Sequence, residues 1–549
     1  MTEKYDSIVI GGGHNGMVAA HYLAEAGLRV LMLERRPTTG GVTGPVDSLS
    51  GLAATVTNSP GSLEPKIVRD MRLEANGLRF VKPDPTVVVP FHGDRAFVGW
   101  RDQKRVHEGL ERFSRHDAVA YHEVIEFFND FARRLGVSLF APPPRFAELT
   151  SRIRTARDEA DFAAIMFGSI KEMLDNRLES DEVKTILAML AQACGNVGPS
   201  TPGSPIGLLQ RPMSLASSQI AAEHDPRRQP LRGSTGLPVG GMRGIAAAME
   251  QSLRSSGVTI RTSAEVTDIR VGADNRVLGV VLDGGEEIDA DIVLSNLNPK
   301  TTLLDLVPPG CLGDEVETGL RELRMDGAAF KIVLKLDGVP RFAFADSDDY
   351  AQYAACQFRI GPTMDYLDRA YDDYRYGRPS ERPKLWGLVP TMTDPTLAPE
   401  GTHLMSLNVW YAPYHLKDTS WDEQKSPFID KCVSVLAEFI PNIPDLITDV
   451  VGFSPVDLER EFGLLEGHQL HGDMTPGHMF SFRPLPQLSR YSTPVRQLYL
   501  CGSGSWPGGF VTGLPGHNAA HVAIADRRAE LDDETDVAEQ TAAEIGNLL

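Results

Sequence analysis

Cysteine is scarce in this chain. Its 549 residues include five, Cys194, Cys311, Cys356, Cys432 and Cys501. They are scattered, odd in number and form no C-x-x-C pair, so neither a redox dithiol nor a thiolate metal site is expected. Positive charge is also in deficit: 54 Lys and Arg stand against 74 Asp and Glu, a formal net charge of -20. That balance disfavours phosphate-backbone binding and long-range attraction to anionic lipid, which removes nucleic acid from the expected partners. The longest apolar stretches are strand-sized and broken by polar residues, short of the ~20 needed to span a bilayer. Any membrane contact is expected to be peripheral, through apolar patches around a tunnel mouth. The first strand begins by Tyr5, leaving no room for a secretory leader, and a cytoplasmic protein is expected. No compact Ser/His/Asp or metal-ligand constellation stands out.

What the chain does have begins at its first strand, where Ile8-Val9-Ile10 runs into Gly11-Gly12-Gly13-His14-Asn15-Gly16 and an Ala-rich helix. In this G-x-G-x-x-G pattern, Gly11 permits a tight turn, Gly13 admits the backbone to a pyrophosphate, and Gly16 lets helix and strand pack closely. The helix start offers free N–H groups and a positive dipole end to the phosphate. A second strand, Leu28 to Leu33, ends at Glu34, at about the ~20-residue distance where a carboxylate accepts hydrogen bonds from ribose hydroxyls and repels a 2′-phosphate. A plain adenine dinucleotide is the expected ligand. The Gly40-Gly41 pair that follows suits a second close approach to an elongated cofactor, which favours FAD over NAD. Arg35 is a candidate cofactor contact, set against the commoner outcome of a solvated basic pair, Arg35-Arg36, beside a turn.

The length suits two intimately joined domains. Residues 51–65 read as a loop crossing the cofactor, with Asn58 and Ser59 facing the site. A helix is expected from His116 to Leu135, burying Val119, Val124, Ile125, Phe127, Phe128 and Phe131. Further helical segments, Phe162 to Leu174 and Val183 to Ala193, belong to a substrate-covering part. The nucleotide fold resumes at Pro238-Val239-Gly240-Gly241, followed by the amphipathic run Ile245 to Leu253 and short β patterns through Asn296. Strand-like runs at Phe330 to Leu336, Ala354 to Ile360 and Leu404 to Tyr411 suggest a second sheet. The expected organisation is an α/β Rossmann-type FAD-binding domain from 1–80, 236–305 and 486–528. An inserted substrate domain of mixed sheet and helices takes 81–235 and 306–485, and 529–549 form an acidic tail, frayed helix or disordered.

Near the C-terminus, Leu498-Tyr499-Leu500-Cys501-Gly502-Ser503-Gly504-Ser505-Trp506-Pro507-Gly508-Gly509-Phe510 continues through Gly513 and Gly516 as another strand, Gly-rich loop and helix. With Gly11 to Gly41, Pro238 to Val266 and Phe480-Ser481-Phe482-Arg483-Pro484, it makes the chain resemble, over nearly its whole length, the phytoene desaturase-like FAD oxidoreductases. That group includes the branch named for a pyridine-nucleotide-disulfide oxidoreductase domain. The resemblance implies that Gly11, Gly13, Gly16 and Glu34 hold the adenosine diphosphate and that Val266 contacts adenine by backbone. It places Gly502, Gly504 and Gly513 against the ribityl and flavin portions. Many carotenoid desaturases and amine oxidases of similar layout carry Arg after the glycine pair; Val42 here points toward the less characterised branch.

The expected chemistry is hydride transfer to flavin from an apolar, isoprenoid or otherwise lipid-like molecule, with a proton removed from the neighbouring carbon. The segment Gly467 to Met474 resembles a His-Gly element of the family, and His471 and Asp473 are the preferred polar site residues, against a structural role for His471. His478 is a weaker candidate. Arg483 is expected to brace backbone carbonyls, and Trp506 and Phe510 to press substrate against flavin or to pack behind it. The electron acceptor is drawn from oxygen, quinone or another protein, and a homo-oligomer is among the expected assemblies. Two alternatives stay open: an amine oxidase acting on a C–N bond, favoured by an aromatic cage, and a flavin-binding interaction protein or reduced-flavin isomerase without net oxidation.

Overall fold

A computed structural model describes residues 4–46, 52, 54–57, 62–218, 236–345 and 350–546. In chain order the strands are β1 (Lys4–Ile10), β2 (Val30–Leu33), β3 (Phe80–Val81), β4 (Val87–Pro90), β5 (Ala96–Gly99) and β6 (Leu237–Pro238). They continue with β7 (Thr259–Arg261), β8 (Val266–Val271), β9 (Val277–Leu282), β10 (Glu287–Ser295) and β11 (Ala329–Leu336). The last are β12 (Gln357–Ile360), β13 (Leu385–Leu388), β14 (His403–Trp410), β15 (Ile447–Phe453) and β16 (Leu498–Leu500).

Among the described residues, one seven-stranded sheet runs β7-β2-β1-β10-β9-β8, with β16 added on β10. Its centre is parallel: β1 pairs β2 and β10, β2 pairs β7, and β10 pairs β16. Parallel strands covered on both faces read as unbroken apolar runs, and Val30 to Leu33 are all buried accordingly. The helix His14–Glu25 carries the chain from β1 to β2 and packs against the helix Leu514–Gly546. Gly516 makes that contact, because a Cβ there would overlap the Asn15 carbonyl oxygen.

A second seven-stranded sheet runs β15-β11-β14-β13-β12-β4-β5. Its centre is antiparallel, with Lys331 opposite Asn408 on β14 and Asn408 opposite Trp386 on β13. β4 and β5 come from far earlier in the chain and complete one edge by the parallel β12–β4 pairing.

The helix Arg115–Leu135 is capped by the Ser114 hydroxyl and stopped by Gly136 in left-handed backbone. Val124, Phe128 and Phe131 are buried, but Val119 is 54% exposed and lies off the inward stripe. The expected helix from Phe162 to Leu174 is two, Ala156–Met166 and Ile170–Asp175. Gly168 ends the first where a side chain would meet the Ala164 carbonyl, and Ser169 caps the second. The expected start of an acidic tail at 529 falls inside the continuous helix Leu514–Gly546, and Glu530 pairs with Arg276 at 3.0 Å. Among the described residues no helix is long and apolar enough to cross a membrane.

Candidate active site

A cavity of about 400 Å³ lies between the two sheets, lined from one side by Ile10, Gly11, Leu33 and Val266 and from the other by Ala329, Trp386, Asn408 and Trp410. Its first half is the glycine turn. Gly11, at φ +92°, donates its backbone N–H to the Leu33 carbonyl at 2.7 Å. A Cβ at Gly13 would come within 2.7 Å of the Asn296 amide nitrogen, and one at Gly16 would overlap the Gly11 carbonyl. Gly13 and Gly41 line the cavity, as do Val42 and Val266. Gly16 and Gly40 do not: Gly16 seats the helix, and Gly40, at φ +109°, turns the chain so that its N–H donates to the Gly12 carbonyl.

Glu34 is buried, and its carboxylate accepts from the backbone N–H of Gly12 and of Arg36, each at 2.8 Å. Those bonds fix the carboxylate at the cavity wall while leaving lone pairs for a ribose. Arg36 is bound into the protein, donating to the Gly41 and Pro45 carbonyls and lying over the Phe462 ring. Arg35 lines the cavity at an exposed mouth, beside Gly463.

The second half is built by the loop from His468 to Asp473. His471 and Phe510 both line the cavity in left-handed backbone, φ +52° and +67°. Such conformations persist only where the surroundings over-determine them. Arg483 provides this at His471: its buried guanidinium donates to Leu470 O at 2.6 Å and Gly472 O at 3.2 Å, the carbonyls on either side. It also donates to Asp473 O at 3.1 Å and Ser503 O at 2.7 Å, tying this loop to the C-terminal Gly-rich loop. The expected bracing role of Arg483 is what the geometry displays.

Asp473 does not line the cavity, which corrects the expectation of a cavity-facing carboxylate. It accepts from the Asn196 N–H at 2.9 Å and from His468 Nε2 at 3.1 Å. Burial pushes its pKa up, but the hydrogen bonds from His468 and Asn196, with Arg324 nearby, outweigh that and hold it below the usual carboxylate value. His468 accepts at Nδ1 from Leu470 N–H at 3.2 Å, so Nε2 carries the proton and both ring nitrogens are engaged. His471 is held neutral: burial, with His468, Arg483 and His14 nearby, lowers its pKa to about 3. His14, beside it, donates from Nε2 to Phe510 O at 3.2 Å, and burial lowers its pKa to about 4.

The C-terminal glycines make room for protein and not for the cavity. A Cβ at Gly502 would meet the Asn296 carbonyl, one at Gly504 Pro299, and one at Gly513 Val18 and Ile67. The cavity face of that loop is Ser503, Phe510 and Val511. Trp506 is fully buried and stacks on Phe480 at 5.2 Å, so its place is the packing behind the loop. His478 also stands off the cavity, and Asn58 and Ser59 lie outside the described residues.

Several lining residues carry no signal that singles them out in the sequence: His14, Asn196, Trp386, Asn408, Trp410 and His468. His468 sits within the His-Gly segment. The period-two spacing of Asn408 and Trp410 is visible, but their alignment with Trp386 depends on cross-strand register.

The cavity suits a flavin dinucleotide. Buried His471 Nδ1 and Gln469 Nε2, both on lining residues, have no hydrogen-bond partner among the described residues, and an isoalloxazine ring and ribityl chain offer partners for them. The model of the family described as flavin containing amine oxidoreductase matches residues 16–514. The chain belongs to that family. FAD is its cofactor. A pyridine nucleotide-disulfide oxidoreductase domain-containing protein 2 from Rattus norvegicus is 31% identical, across 95% of this chain and 94% of that one. A limonene dehydrogenase component from Castellaniella defragrans is 25% identical, across 95% of each chain. An oxidoreductase structure from Methanosarcina mazei, 18% identical, superposes with a TM-score of 0.60 over 95% of this chain and all of that one, which shows a shared fold. The resemblance to the desaturase-like oxidoreductases and their pyridine-nucleotide-disulfide oxidoreductase branch holds.

Proposed function

We propose that this flavin oxidoreductase removes a hydride and the neighbouring proton from an uncharged, largely apolar small molecule of isoprenoid type, leaving a double bond. Bound FAD supplies the acceptor for the hydride and its electron pair. The protein's part is to hold the reacting carbon in a walled cavity and to exclude bulk water. His471, neutral at physiological pH, serves as a hydrogen-bond partner at that wall, and Asp473 positions the loop through His468. The neighbouring proton is taken by a single water admitted to the cavity, because His471, with a pKa of about 3, is too weak a base to keep it.

The observation that carries this reading is the wall formed by Trp386 and Trp410. Their ring centroids lie 4.7 Å apart and both line the cavity, so an aromatic surface is present. Each ring also carries a basic side chain of the protein that does not itself line the cavity. Arg359 lies 4.4 Å over Trp386, and Lys384 lies 4.8 Å over Trp410. A guanidinium already stacked on Trp386 disfavours a second positive charge against the same ring, so the wall suits a neutral hydrocarbon frame better than an ammonium group. The dehydrogenase relative named for limonene supports the same substrate class.

The test is to incubate the FAD-loaded protein with cyclic and acyclic isoprenoids and an artificial electron acceptor, then weigh the products. A product two hydrogens lighter than an isoprenoid is expected. Imine or aldehyde from amines, with isoprenoids returned intact, would contradict the proposal.

A further inference from the structure

The substrate-domain sheet places an unusual set of polar groups behind the aromatic wall. Lys331, Ser406 and Asn408 share one face, since Lys331 stands opposite Asn408 and Ser406 lies two residues along the same strand. Lys331 is fully buried and donates from Nζ to Ser406 Oγ at 2.6 Å and to Asn408 Oδ1 at 3.0 Å. That second bond fixes which way the Asn408 amide points, because its carbonyl oxygen faces the lysine and its Nδ2 group faces away. Asn408 is 7% exposed and lines the cavity. Its Nδ2 group donates to nothing among the described residues. Directly across on β13, Trp386 also lines the cavity, and its indole N–H is buried without a hydrogen-bond acceptor among the described residues.

One N–H donor buried without an acceptor among the described residues, beside a second that opens onto the cavity, is a costly pair once a ligand excludes water, unless that ligand supplies the acceptor. A pure hydrocarbon would leave both unpaired. We propose that Asn408 and Trp386 form a donor pair that seats a carbonyl or hydroxyl oxygen of the substrate, with Lys331 as the positioning residue that aims the Asn408 amide. This rests on the uncharged, apolar substrate proposed above and narrows it to oxygenated members of that class. A carboxamide held by a lysine gives orientation without presenting charge to the ligand. It discriminates by the cost of the missing acceptor, which is how buried polar groups reject analogues that lack one.

The experiment compares carvone with limonene, a ketone and a hydrocarbon of one carbon skeleton. Equilibrium dialysis is run under nitrogen on protein carrying chemically reduced FAD, so that no hydride can be taken and binding alone is read. The wild-type protein is expected to bind carvone at least about tenfold tighter than limonene. In Asn408→Leu and Trp386→Phe the preference should fall to about twofold or less, through a larger loss of carvone affinity than of limonene affinity. Trp386→Phe keeps an aromatic ring, which guards against a folding failure in the leucine variant. Equal affinities in the wild type, no binding of carvone, or a preference that survives both substitutions would overturn the donor pair. Failure of the substrate class reads differently: carvone binds with the expected preference while no isoprenoid is dehydrogenated by the oxidised enzyme.

Discussion

Arg483 is the side chain on which the site's geometry most depends. Its donors reach carbonyls on two loops, and the left-handed backbone of His471 sits between two of them. Lysine carries one ammonium and cannot span that set. Arg483→Lys should therefore destabilise the protein by about 3 kcal/mol, read by thermal or urea unfolding, and should release FAD on dilution; an unchanged melting temperature with full flavin retention would contradict the bracing role. His471 gives a separate test through pH. Its folded pKa is about 3 against an ordinary 6.5. As pH falls below 6.5 the unfolded chain therefore binds the proton first, and stability declines from there toward pH 3. The loss from one such group runs at about 1.4 kcal/mol per pH unit. Urea midpoints measured between pH 7 and 4.5 should show a shallower decline in His471→Gln by about that slope. Equal slopes would mean that His471 is protonated in the native state.

Elements meet in this fold where glycine removes a side chain. Gly516 lets the C-terminal helix cross the helix that follows the dinucleotide turn, and a Cβ there would overlap the Asn15 carbonyl. Gly516→Val should push the helices apart, shift the Gly11–Gly16 turn and leave purified protein with little FAD, as measured by the visible-to-ultraviolet absorbance ratio. On the second sheet, a Cβ at Gly387 would run into the Phe358 ring on the neighbouring strand. Local pattern made β1, β2 and the first helix legible, since apolar run, glycine spacing and Glu34 all act within one supersecondary unit. The second sheet was legible as strands and not as a wall. Which side chains of β13 and β14 face the cavity depends on register, and pairing between residues far apart in the chain leaves no local trace. The C-terminal glycines show the same limit: their number was plain, but whether each admits cofactor or protein is decided by what packs opposite.

At the scale of the whole molecule, the cavity joins two sheets whose strands come from widely separated stretches of chain. A ligand spanning it ties those stretches together. FAD binding should raise stability in proportion to ligand excess, by about 2.7 kcal/mol at a hundredfold excess over the dissociation constant. Calorimetry of stripped and reloaded protein checks this, and identical melting temperatures would place FAD outside the core of the fold. In the function proposed above, this cleft brings an uncharged isoprenoid, and not an amine, to flavin. The direct measurement is an anaerobic titration of the oxidised holoenzyme followed at the visible flavin bands. Bleaching by isoprenoids with the bands unmoved by primary amines is the expected result; bleaching by amines alone would contradict it.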